Sequence, residues 1–141
     1  MKTLKTISEV ENSLVLRTDY SNEATWEAVC AAIMDPDNEF EANVDFVSDA
    51  RYAGLKAERL ESVVPEGLPL SFAFIIDDVT MSVPEHPILV VDLQDEPGRM
   101  FRVVPPALWA VENNLSIGNM DFAEFVDAAD AGGVFRGFGE S

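Results

Sequence analysis

The chain has 141 residues, of which 48% are hydrophobic, and a formal net charge of −17 from 26 acidic and nine basic residues. So large an apolar share can bury a core, which excludes a disordered acidic chain and points to a compact domain with carboxylates over its surface. The charge also excludes nucleic-acid phosphate and anionic membrane as direct partners, because both require clustered Lys and Arg.

The acid is spread evenly: residues 1–70 carry 14 acids and 6 bases, residues 71–141 carry 12 and 3. No apolar run approaches the roughly 20 residues of a membrane span. The N-terminus has no apolar stretch of a secretory leader. Cys30 is the single cysteine, so no internal disulfide forms. A cytoplasmic location is the expectation.

In chain order, residues 1–12 read as a polar, loosely held lead-in and 13–138 as one globular domain. Leu14-Val15-Leu16 predicts a first strand. Ser21 or Asn22 caps a helix whose apolar stripe is Trp26, Val29, Cys30, Ile33 and Met34, and Pro36 stops it. Over residues 39–47 the period changes. Phe40, Ala42, Val44 and Phe46 alternate with Glu39, Glu41, Asn43 and Asp45, which predicts an outer strand with one wet face.

A short helix follows over 56–64, ended by Pro65. Phe72–Ile76 and Ile88–Val91 are unbroken apolar runs that suit central strands. Asp95-Glu96-Pro97-Gly98 is a turn, and Met100–Val104 is the antiparallel partner after it. Pro105-Pro106 opens a helix carrying Leu108, Trp109 and Val111, which Asn113-Asn114 ends. Asp121 and Glu124 form a capping-box pair at the start of the last helix, with Met120 and Phe125 at the staple positions. Gly132-Gly133 closes it, and Val134–Phe138 is apolar enough to lie on the core as a further edge strand. The sum is an α/β (α+β) fold, a single mixed β-sheet of about five strands with about four helices packed on it.

Acids follow four of the apolar strands: Asp19, Asp49, Asp77-Asp78 and Asp92. In open sheets ligands bind beyond the carboxyl ends of parallel strands, so Asp19, Asp77 and Asp78 are candidate ligands for Mg²⁺ or Ca²⁺. The plainer reading is that these acids cap turns and helices. His86 is the only histidine, and no nucleophile is placed beside it. Cys30 lies on the buried stripe as a core thiol. A structural zinc site needs four Cys or His ligands, and the chain has two such residues. Arg17, Arg99, Arg102 and Arg136 read as partners of neighbouring carboxylates, with Arg102 pairing to Asp92 on the strand next to its own. There is no phosphate-binding glycine pattern. No catalytic residue is assigned.

Several segments resemble a family of small acidic, mostly actinobacterial proteins catalogued as a domain of unknown function. They are His86–Leu93, Asp95–Arg99, Phe101–Pro105, Trp109 with Val111–Ile117, Asn119–Phe122, Gly133–Phe138, Leu16–Asp19 and Trp26–Cys30. The resemblance implies a bacterial cytosolic single-domain protein and brings no activity, cofactor or catalytic residue.

From charge alone, the expected role is a non-enzymatic, inhibitor- or immunity-like module that captures a basic protein. Its candidate surface is Asp35, Asp37, Glu39, Glu41 and Asp45. No cofactor is expected on that reading. The alternative is a carboxylate-centred domain, binding a divalent cation or acting as a small enzyme through the acids at the strand ends.

Overall fold

The computed structural model describes residues 6–65, 67, 68 and 70–137. They form one six-stranded mixed sheet in the order β2-β1-β3-β4-β5-β6. The strands are β1 Ser13–Arg17, β2 Val44–Val47, β3 Phe72–Ile76, β4 Ile88–Asp92, β5 Met100–Val103 and β6 Val134–Phe135. β1 runs parallel to both β2 and β3, β4 is antiparallel to β3 and β5, and β6 is parallel to β5. The helices are α1 Glu23–Ile33, α2 Leu60–Val63, α3 Asp78–Ser82, α4 Leu108–Ser116 and α5 Phe122–Ala128. The α/β class and the mixed sheet are as the sequence implies. The additional helix is α3, five residues that hold too little of the 3.6-residue period to stand out. The additional strand is β6, the edge strand anticipated from Val134, with Phe138 outside the described residues.

Side chains alternate across the sheet and build two apolar layers. On one face Val15, Phe46, Phe74, Ile76, Val90, Phe101, Val103 and Phe135 meet the buried stripes of α1, α4 and α5. Trp26, Val29, Cys30 and Ile33 form the α1 stripe as the spacing predicts, and Asn22 caps that helix by accepting the Thr25 N–H at 3.0 Å. Phe101 stacks on Phe125 and meets Phe122 edge-on, which seats α5 on β5. On the other face Leu14, Leu16, Val47, Ala73 and Ile75 lie under α2 and the segment after it. Leu89 and Val91 of β4 belong to this second layer, which contains no residue of β5 or β6.

Three segments differ from the sequence reading. Ile7 (2% exposed) and Val10 belong to the second core layer, so two apolar side chains of the polar lead-in seat the turn Ile7–Glu9, while Thr6, Ser8, Glu9, Glu11 and Asn12 are exposed. Residues 1–5 lie outside the described ones. The strand expected over 39–47 shortens to Val44–Val47, because pairing with β1 begins only at Ser13 opposite Val44. α4 runs on through Asn113-Asn114 to Ser116, since Asn114 turns its side-chain amide back to the Ala110 carbonyl at 2.8 Å instead of breaking the helix. Among the described residues no helix is long and apolar enough to cross a membrane.

Candidate functional site

Two regions of the surface combine shape with charge. The first is the loop between α1 and β2. α1 starts beyond the carboxyl end of β1 and feeds β2, so this loop lies at the amino ends of the strands. Asp35, Asp37, Glu39 and Glu41 are all exposed there, and among the described residues none of them forms an ion pair. Phe40, freed from the expected strand, is 57% exposed and leans on Trp109 of α4 with ring centroids 5.3 Å apart. A notch of about 400 Å³ runs beside it, lined by Ile33, Met34, Asp35, Glu39, Phe40 and Glu41 among others. Asn38 fastens the loop by donating to the carbonyls of Ala32 and Ile33 at the end of α1. Asp45, grouped with these acids by its alternation, is not on their surface. It is 9% exposed, and its carboxylate accepts the N–H groups of Glu11 and Asn12 at 2.8 and 2.9 Å. The packed N-terminal segment covers the face of β2 that alternation alone leaves wet.

The second region is the carboxyl end of β1 and β3. Asp19, Asp77 and Asp78 line one cleft there, of about 660 Å³. Two of these acids also have local work. The Asp19 Oδ1 accepts both the N–H and the hydroxyl of Ser21. Asp77 caps α3 by accepting the Thr80 N–H at 3.1 Å, and the Arg102 guanidinium grips both of its oxygens at 3.0 and 2.8 Å. Burial pushes the Asp77 carboxyl up, but Arg102 and the Thr80 N–H outweigh it and hold its pKa below the usual Asp value. Asp78 is exposed in the first turn of α3. Among the described residues no three His, Cys, Asp or Glu side chains gather closely enough to hold a metal ion.

The other strand-end acids also act on turns. Asp49 caps the turn Ala50–Tyr52 and pairs with Arg51 at 3.0 Å. Asp92 pairs with Arg99 at 3.0 Å, not with Arg102 as the sequence suggests. Register decides this: Arg102 stands opposite Leu89, near the far end of β4 from Asp92, and so reaches Asp77. All four singled-out arginines do pair with carboxylates. Arg17, 2% exposed, also lies against the rings of Tyr20 and Trp26 while donating to Glu23. Arg136 bridges Glu85 and Asp130.

His86 has φ 54°, a left-handed backbone that costs energy in a residue with a Cβ. Its Nδ1 lies 2.9 Å from the Thr80 carbonyl, which can only accept, so Nδ1 carries the proton. Cys30 is buried.

Sequence reasoning passed over Glu112. It is 2% exposed within α4, and its carboxylate ties α4 to the amino ends of β1 and β2. Oε1 accepts the Asn43 N–H at 2.8 Å, and Oε2 accepts the hydroxyls of Ser13 and Ser116 at 3.0 and 2.7 Å. One signal was available. With Leu108 and Val111, position 112 falls on the inward stripe of the helix, where an acid needs partners.

A protein-family model described as a domain of unknown function (DUF6924) matches residues 12–138. The chain belongs to this family. Comparison with curated proteins gives no match. The DUF6924 match spans both regions described above, from β1 through β6, and attaches no chemistry to either.

Proposed function

We propose that this chain is an acidic binding module that captures a basic protein through the loop between α1 and β2. The observation that carries the reading is the pairing of opposites at one place. Phe40 is held out in solvent on Trp109, on a loop that also carries four exposed carboxylates, Asp35, Asp37, Glu39 and Glu41, none of which forms an ion pair among the described residues. An exposed large aromatic is the informative kind of apolar exposure, and aromatic anchors with a charged rim are how interfaces concentrate their energy. The acids elsewhere on the strand ends are largely spent on arginines and caps, whereas these four are exposed, and only the Asp35 side chain has a local hydrogen bond among the described residues, accepting the Asp37 N–H at 2.9 Å. A partner's Arg or Lys laid over Phe40 would meet a ring face and carboxylates together. The net charge of −17 on the whole chain steers such a partner in from a distance.

The test is capture of a basic protein by the immobilised chain, followed by association kinetics of the recovered partner against salt. Association should slow about tenfold or more from low to physiological ionic strength. Neutralising the loop (D35N, D37N, E39Q and E41Q together) should remove most of that salt dependence, while Phe40→Ala should mainly speed dissociation. An affinity indifferent to salt, or one that the neutralised loop leaves unchanged, defeats the reading.

A further inference from the structure

The loop that carries Phe40 is fastened at both ends, and the fastening at its far end runs back to the buried carboxylate of Glu112. Asn38 holds the near end to the close of α1. At the far end Glu112 Oε1 accepts the Asn43 N–H at 2.8 Å and a side-chain N–H of Asn113 at 3.0 Å. The same Asn113 Nδ2 donates to the Glu41 carbonyl at 3.2 Å. The backbone is therefore gripped on both sides of Ala42, whose own side chain is buried in the first core layer. Glu39 and Phe40 alone lie between the two grips, too short a span to carry the Phe40 ring inward and return. The ring stays over Trp109.

The setting of Glu112 shows what this grip adds. Leu108 and Val111 already seat α4 in the first core layer by apolar contact. A carboxylate beside them costs desolvation, and its partners among the described residues are all neutral: Ser13, Asn43, Asn113 and Ser116. The two serines hold Oε2 and so aim the group, which leaves Oε1 for the loop. A leucine at 112 would seat the helix without that cost, and would leave Asn43 and Asn113 unheld. A loop fixed before encounter loses less binding energy to ordering. We propose that Glu112, directly at Asn43 and through Asn113 at Glu41, is a positioning residue that presets the Phe40 loop in its docking shape, a role that rests on the reading of that loop as the docking surface.

NMR of the full chain tests the positioning with no partner present. Phe40→Ala gives the Trp109 indole resonance without a ring against it. In Asn113→Ala, a partly exposed position, that resonance should move toward the Phe40→Ala value while the buried Trp26 indole stays in place. In Glu112→Leu the Asn43 amide should also exchange about tenfold faster. Asn114→Ala, whose side chain bonds the Ala110 carbonyl and not the loop, should do neither. Against the captured basic protein, Asn113→Ala should weaken binding about three- to tenfold. An unmoved Trp109 resonance in Asn113→Ala would overturn the proposal. So would exchange in that variant that rises equally at Val90 and Val91 of β4, the mark of general destabilisation, or an unchanged affinity for a partner that Phe40→Ala releases. If the parent chain captures no basic protein, the docking reading falls, and the Trp109 resonance by itself decides the positioning.

Discussion

Asp92 holds the β4–β5 connection from inside. It is 2% exposed, and one carboxylate collects the N–H groups of Gln94, Asp95 and Glu96 together with the Arg99 guanidinium. Burial pushes its pKa up, but those donors outweigh burial and keep it below the usual Asp value. A carboxyl with a lowered pKa in the folded state stabilises the fold fully above its unfolded value of about 3.9 and loses that contribution as pH falls through the folded value. Asp92→Asn should therefore cost about 3 kcal/mol in urea unfolding at neutral pH. The variant should also lose less stability than the parent as pH drops from about 5 to 2, because this titrating group is gone. An acid after an apolar run was legible as a turn former. Its choice of Arg99 over Arg102 was not, because that depends on which end of β4 each arginine faces.

Caps were the most legible feature at the scale of elements, since they are local in sequence. The Asp121–Glu124 box closes as the residue types imply: the Glu124 N–H donates to Asp121 Oδ1 at 3.1 Å, and the Asp121 N–H donates to Glu124 Oε1 at 2.9 Å. α5 is only seven residues long, and it places Phe122 and Phe125 on the core. Asp121→Ala should lower stability by about 1 kcal/mol, measured by chemical denaturation. An effect within a few tenths would mean that aromatic packing alone holds the helix. The segment over 39–47 behaved differently. Its alternation was perfect, yet only Val44–Val47 found a neighbouring strand. A period-2 pattern states which side chains could share a face, not whether a partner strand is present along the whole run.

The dominant quantity for the whole molecule is the charge of −17, whose self-repulsion opposes compaction. Ionic strength screens that repulsion over about 10 Å at 0.1 M. The melting temperature should therefore rise on adding sodium chloride from about 0.01 to 0.2 M. Exposed pairs such as Arg136 with Glu85 are too weak to reverse this. A flat or falling melting temperature would show that the paired acids matter more than the unpaired ones.

Composition, the α1 stripe, the two central strands, the hairpin and the last cap were determined by sequence alone, because each depends on residues within a dozen positions of one another. That is enough for the α/β class. The pairing of Arg102 with Asp77, the burial of Asp45 and Glu112 and the projection of Phe40 onto Trp109 were decided by the tertiary structure. Each joins residues that only the order of strands in the sheet brings together, and pairing order is set by the packing of both layers at once.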